Sequence, residues 1–218
     1  MNRLRHPDDS TLISYAAGAL AQSIALVTAA HLERCPVCRA RLREAEQIGG
    51  VLMQQHSSTV VPLRGRAAML ERLNEPASRQ SPVINPLQAS NEDSDLMPAC
   101  LQEHFGQYLS QLKWKTLAPG VQRVRAEGIA QGTLMLLKSA PGVSMPMHSH
   151  SGSEMTMVLR GSFHDEMGDF KAGDIADLDS DVHHQPVAYG ECICLLATDS
   201  PLRFHGLFAR IMQPFIGI

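Results

Sequence analysis

The run His31-Leu-Glu-Arg-Cys35-Pro-Val-Cys38 constrains this chain more than any other stretch. An imidazole followed by two thiols within about two helical turns supplies three borderline or soft donors, the set that a tetrahedral zinc site takes. A fourth donor is required, and His6, ahead of Pro7, is the nearest histidine without another evident commitment. The competing reading makes Cys35 and Cys38 a redox pair or two small core residues, with His31 capping a helix. A redox pair of this spacing follows a strand in a βαβ pattern. Nothing around Cys35 reads that way, so metal is favoured.

What can be built around such a site is bounded by the rest of the chain. Its 218 residues are comfortable for two domains. The 19 basic and 22 acidic residues leave a net charge of −3, so there is no electrostatic case for direct nucleic-acid binding, and a DNA-reading zinc finger is disfavoured. Five cysteines, an odd number with two in one cluster, do not form a secreted disulfide framework; they point to a reducing compartment, the cytoplasm by default. No apolar run approaches the roughly 18 residues that span a bilayer. The N-terminus, Met1 to Asp9, lacks the apolar core of a signal peptide, so no membrane association is expected.

Residues 1–75 read as helices. Asp8, Asp9 and Ser10 place acids and a capping hydroxyl ahead of Leu12, Ile13, Ala16, Ala17 and Leu20, which share one helical face. A second helix from about Ser23 carries Ile24, Val27 and His31 in one stripe, which predicts that the histidine faces the bundle. Pro36 suits a helix start, so a third helix is expected there, with Cys35 just ahead and Cys38 in its first turn. The positive end of that helix favours both thiolates. Leu42, Ala45, Ile48 and Leu52 are expected to continue the buried face, with Arg39, Arg41, Arg43, Glu44 and Glu46 toward solvent. A short fourth helix, Arg66 to Leu73, sets Met69, Leu70 and Leu73 on one side, to be covered by the bundle or by a partner. Residues 76–95, rich in Pro, Ser, Asn and Gln, cannot bury enough surface to order themselves and read as a flexible linker. Leu101, Phe105, Tyr108 and Leu112 then keep helical spacing.

The second constellation lies in residues 96–218. Gly142, five residues, His148-Ser149-His150, three residues, Glu154, six residues and Gly161 match the first cupin motif at every fixed position. Residues two apart on a strand share a face, so His148 and His150 point together, and the turn Ser151-Gly152-Ser153 returns Glu154 toward them. The second motif runs Gly173, five residues, Asp179-Ser180-Asp181, two residues, His184, with Asp179 and Asp181 where cupins usually have proline and glycine. His184 falls in register, but a slip of one residue would exchange it for His183. Strands of four to seven residues at short intervals, such as Gln122–Arg125, Leu134–Leu137, Thr156–Leu159, Ile175–Leu178 and Ile193–Ala197, predict an all-β double-sheet jelly roll. Cys192 and Cys194 share a strand face and read as core residues or sulfur neighbours of the pocket, because such partners make a poor disulfide.

Taken together, a multidomain α and β chain is expected: a small zinc-binding helical bundle (1–75), a linker (76–95) and a C-terminal cupin barrel (96–218). This arrangement resembles the ChrR-type zinc-binding anti-sigma factors over almost the entire chain. The resemblance implies that His6, His31, Cys35 and Cys38 hold Zn2+, and that His148, His150, Glu154 and His184 hold Zn2+ or another divalent transition metal. It further implies that the helical domain sequesters an extracytoplasmic-function sigma factor, and that the cupin domain takes part in the response to singlet oxygen. An enzyme is then not expected. The alternative is a metal-dependent cupin enzyme, a dioxygenase, isomerase or hydrolase acting on a small molecule.

Overall fold

A computed structural model describes residues 5–55, 63–73, 95–150, 152–179, 182–200 and 202–204, with the side chains of 63–64, 148–150 and 202–204 outside the description. Helix α1 (Asp9–Ala16) begins where Asp8 leaves helical geometry and its carboxylate accepts the Thr11 amide proton at 2.6 Å. That satisfies one of the unpaired N–H groups of a helix start. The cap is therefore Asp8 and not the expected Ser10, whose hydroxyl donates to the same carboxylate. The expected apolar face also narrows: Leu12 is buried, whereas Ile13 is 55% exposed.

Helix α2 (Gln22–Arg34) departs most from expectation. Ile24, Val27 and Ala30 are buried in one cluster with Met155, Met157, Leu195 and Ala197 of the β-sheet. Ile24 and Val27 thus face the barrel and not the neighbouring helices, while His31 at the end of the stripe meets His6 and Cys38 as expected; an apolar stripe specifies a face to be covered without specifying what covers it. A much smaller cluster, Leu12, Leu32 and Cys38, joins the three N-terminal helices.

Helix α3 (Pro36–Gln55) starts at Pro36 as expected. Its distal half does not bury: Ile48 and Leu52 are 61% and 57% exposed. The small cluster ends at Leu42 and offers no further surface. Of the arginines expected in solvent, Arg39 turns inward and Arg41 pairs at the surface. Arg39 donates to the carbonyls of Leu32 and Glu33 at 2.7 and 3.2 Å, and Arg41 pairs with Asp9. Helix α4 (Leu63–Leu73) leaves Met69, Leu70 and Leu73 exposed. The linker expected at 76–95 lies outside the described residues up to Asp95.

The helix expected through Leu101 and Leu112 is broken into a 3-10 turn (Ala99–Leu101), α5 (Gln102–Phe105) and a second 3-10 turn (Leu109–Gln111). Leu101 and Phe105 still bury against the sheet, joined by Leu109, whereas Tyr108 is exposed. The strands follow as β1 (Lys115–Ala118), β2 (Val121–Arg125), β3 (Thr133–Ser139), β4 (His148–His150), β5 (Glu154–Arg160), β6 (Ser162–Asp165), β7 (Gly168–Lys171), β8 (Ile175–Leu178), β9 (Val187–Ala188), β10 (Cys192–Thr198) and β11 (Leu202–Phe204). They pair in the orders β1-β2-β3-β10-β5-β8, β7-β6-β9 and β11-β4.

Strand β5 explains how the layers stack. Its residues alternate between faces, and both faces are covered. Met155, Met157 and Leu159 pack on the α2 side, while Val158 joins Phe163 and Phe170 inside the barrel. Helix α2 is therefore the outer cover of the large sheet. Its N-terminal end comes so close that a Cβ on Gly132, at φ +82, would lie 2.1 Å from Ser23 Oγ; glycine is required there on both counts. Among the described residues no helix is long and apolar enough to cross a membrane.

Candidate metal centres and the contact between them

Four side chains converge where α1, α2 and α3 meet. His6 Nδ1 lies 3.4 Å from His31 Nε2, 3.5 Å from Cys35 Sγ and 3.4 Å from Cys38 Sγ, and His31 Nε2 is 3.3 Å from Cys38 Sγ. Tetrahedral zinc with ordinary bond lengths would separate two nitrogens by about 3.3 Å and a nitrogen from a sulfur by about 3.6 Å. These four residues could hold a metal ion, all their donor atoms lying within 4.8 Å of one another.

The local chemistry fits. Burial drives the His31 pKa down to about 4, against the raising effect of its bond to Gly173, so the imidazole is neutral and its Nε2 lone pair is available. Burial and the neighbouring Cys35 push the Cys38 thiol up to about 12, a cost that a divalent cation at the centre would reverse. Pro36 sets the helix so that Cys35 precedes it and Cys38 enters its first turn, as the spacing predicts.

The barrel reaches into this site. His31 Nδ1 lies 2.9 Å from the Gly173 carbonyl oxygen, to which it donates, in the turn between β7 and β8. That turn is itself fixed, because Gly173 N–H donates to the Val158 carbonyl of β5. On the adjoining strand Asp177 accepts from the Asp8 amide at 3.1 Å and the Thr11 hydroxyl at 2.8 Å. Arg34 reaches the Leu159 carbonyl, and Glu33 accepts the amide protons of Ala99 and Cys100. Ligand geometry in the helices is thus set partly by the barrel.

Inside the barrel Glu154 and His184 come together. Glu154 Oε1 is 3.7 Å from His184 Nε2, both side chains being buried. Two donors about 2.1 Å from a shared tetrahedral ion would stand ~3.4 Å apart, so the pair fits joint ligation. Burial lifts the Glu154 carboxyl to about 7, opposed by His184 and by the Thr156 hydroxyl that donates to it. His183 is exposed, so the structure turns His184 and not His183 toward the carboxylate. His148 and His150 lie on β4, opposite Phe204 and Leu202 of β11; their side chains fall outside the described residues. Cys192 and Cys194 line the same cavity as Glu154 and His184, with their sulfurs 3.6 Å apart. Sequence reasoning missed Asp165, whose Oδ2 stands 3.1 Å from His184 Nδ1. No motif spacing marks it.

A helical module with a four-donor metal cluster, seated on the outer face of a barrel with a second ligand pair, is the class of protein that these elements define. The family model for the ChrR cupin-like domain matches residues 102–202. The anti-sigma-E factor ChrR of Cereibacter sphaeroides is 35% identical over 215 residues, 98% of each chain. The crystal structure of Rhodobacter sphaeroides SigE in complex with the anti-sigma ChrR matches at 32% identity with a TM-score of 0.74, covering 89% of this chain and 98% of that one. The chain belongs to the ChrR family of anti-sigma factors.

Proposed function

We propose that this chain sequesters an extracytoplasmic-function sigma factor in the cytoplasm through its N-terminal helices, and that an oxidative signal such as singlet oxygen, received by the barrel, releases it. The units are a zinc-dependent clamp (1–75), a linker (76–95) and a sensing cupin domain (96–218). Zn2+ sits on His6, His31, Cys35 and Cys38. Zn2+ or another divalent transition metal sits on His148, His150, Glu154 and His184. The relative's role as an anti-sigma factor places this chain outside enzymatic catalysis, and the metal-dependent enzyme alternative is set aside on that ground.

The surface offered to sigma follows from the thin helical core. Ile48, Val51, Leu52 and Met53 on α3 and Met69, Leu70 and Leu73 on α4 are exposed, more apolar surface than isolated side chains would leave. One observation carries the coupling: the His31 ring joins the four-donor cluster through Nε2 and the barrel through Nδ1, 2.9 Å from the Gly173 carbonyl. A shift of the β7–β8 turn would disturb a clamp ligand directly. Moving the bound population from 99:1 to 1:99 takes about 5.5 kcal/mol, so more than that hydrogen bond must change. The Asp177 contacts to α1 and the α2 packing are the other links.

The test is a complex purified with a candidate sigma factor and exposed to photosensitised singlet oxygen. The parent is expected to release sigma, whereas His148→Ala, Glu154→Gln and His184→Ala are expected to retain it. Release by those variants at the parental rate would remove the barrel from the sensing step.

A further inference from the structure

We propose that Asp165 is the positioning residue of the barrel's metal site, holding His184 through Nδ1 so that Nε2 is presented to the ion. This rests on the reading that Glu154 and His184, with His148 and His150, bind a divalent cation. Asp165 closes β6 opposite Gly168, at the turn into β7. Its two oxygens have separate tasks. Oδ1 accepts the Met167 amide proton at 2.8 Å, and Oδ2 stands 3.1 Å from His184 Nδ1. The amide bond anchors the carboxylate to its own turn, so the imidazole adapts to the carboxylate and not the reverse.

His184 needs such an anchor. It lies in the connection between β8 and β9, outside the long ladders that hold Glu154 on β5. With Nδ1 directed at Asp165, Nε2 is the nitrogen turned toward Glu154, 3.7 Å from its Oε1. Metal-bound histidines commonly give their second nitrogen to a carboxylate in this way. The side chains of Glu154, His184 and Asp165 are 1%, 3% and 0% exposed, and a second buried carboxylate favours a dication at the centre over an empty, solvent-filled pocket. The rival arrangement is an imidazolium bridging two carboxylates without metal. It takes up no barrel ion, so the ion count of the parent separates the two arrangements.

The experiment uses the full chain and measures zinc affinity by competition with a chromogenic chelator, with Co2+ spectra reporting ligand geometry. The parent is expected to take two ions. Asp165→Ala is expected to keep the thiolate-bound ion and to hold the barrel ion ~10- to 100-fold more weakly. Asp165→Asn, which retains an acceptor for Nδ1–H, is expected to fall between the two, and His184→Ala to lose the barrel ion. An unchanged thiolate-to-cobalt band in the variants shows that the helical site has survived, and parental hydrogen-exchange protection of β5 and β10 shows that the barrel has. Parental affinity in Asp165→Ala would overturn the role of Asp165 alone, as would a loss at both sites in proportion to unfolding. A parent that takes only the thiolate-bound ion would overturn both this role and the reading that the barrel holds a metal.

Discussion

The two candidate metal centres sit in opposite kinds of surroundings. The helical one has three buried apolar residues behind it, Leu12, Leu32 and Cys38, one of which is itself a proposed ligand. The barrel centre stands among strands whose cores include Leu134, Leu136, Met157, Ile175 and Leu195 on one side and Val158, Phe163 and Phe170 on the other. An ion would be part of the fold in the first case and a guest of a finished fold in the second. A module so short of apolar contacts draws its stability from ligation and from docking, which makes it responsive to both.

The largest test of that contrast is metal removal. A structural zinc contributes on the order of 10 kcal/mol, against roughly 5 to 15 for a whole domain. Chelation is expected to strip hydrogen-exchange protection from α1 and α3 while the barrel strands keep theirs. Helix α2 should keep its protection along Ile24, Val27 and Ala30, because those residues belong to the barrel's cluster; loss of α2 together with α1 would break the distinction. Next in size is Leu195→Ala in the middle of β10, where a fully buried leucine is expected to lower stability by about 2 to 5 kcal/mol. Denaturant titration reads this change, and the affinity of the helical site for zinc should stay at the parental value.

A smaller effect tests the seam between the regions. Asp177→Ala removes the acceptor for the Asp8 amide and the Thr11 hydroxyl, with an expected cost of about 1 to 3 kcal/mol. Zinc competition on this variant should show a weaker helical site and an unchanged barrel site; equal affinities throughout would mean that the seam does not support the clamp. The smallest change is Asp8→Ala, which deletes the α1 cap and is expected to cost ~1 kcal/mol, visible as a lowered thermal midpoint of the helical module alone.

Much of the architecture was legible wherever chemistry demanded particular residues at fixed spacing. Pro36 marked the start of α3, and the run Ile175–Leu178 is a strand with those bounds. His184 could be preferred to His183 from motif spacing, and the structure turns that ring toward Glu154. What a linear pattern could not supply was the identity of the covering surface. Ile24, Val27 and His31 mark an apolar stripe equally well whether a helix or a sheet lies opposite. Ile48 and Leu52 continue a stripe that nothing among the described residues covers. Asp165 was invisible for a related reason: an acid at the end of a hairpin strand has no signature until the fold brings a histidine 19 positions away to it.

The carbonyl of Gly173 has a consequence for how such a chain can diverge. A main-chain oxygen has no side chain to be substituted, so the support it gives His31 passes unchanged through most point mutations and is lost only when the turn itself is rebuilt. Helices transplanted onto a foreign cupin scaffold would arrive with all four donors and without that acceptor. Exchange of modules between relatives should therefore succeed or fail according to the conformation of one hairpin bend, whatever the similarity of the ligand residues.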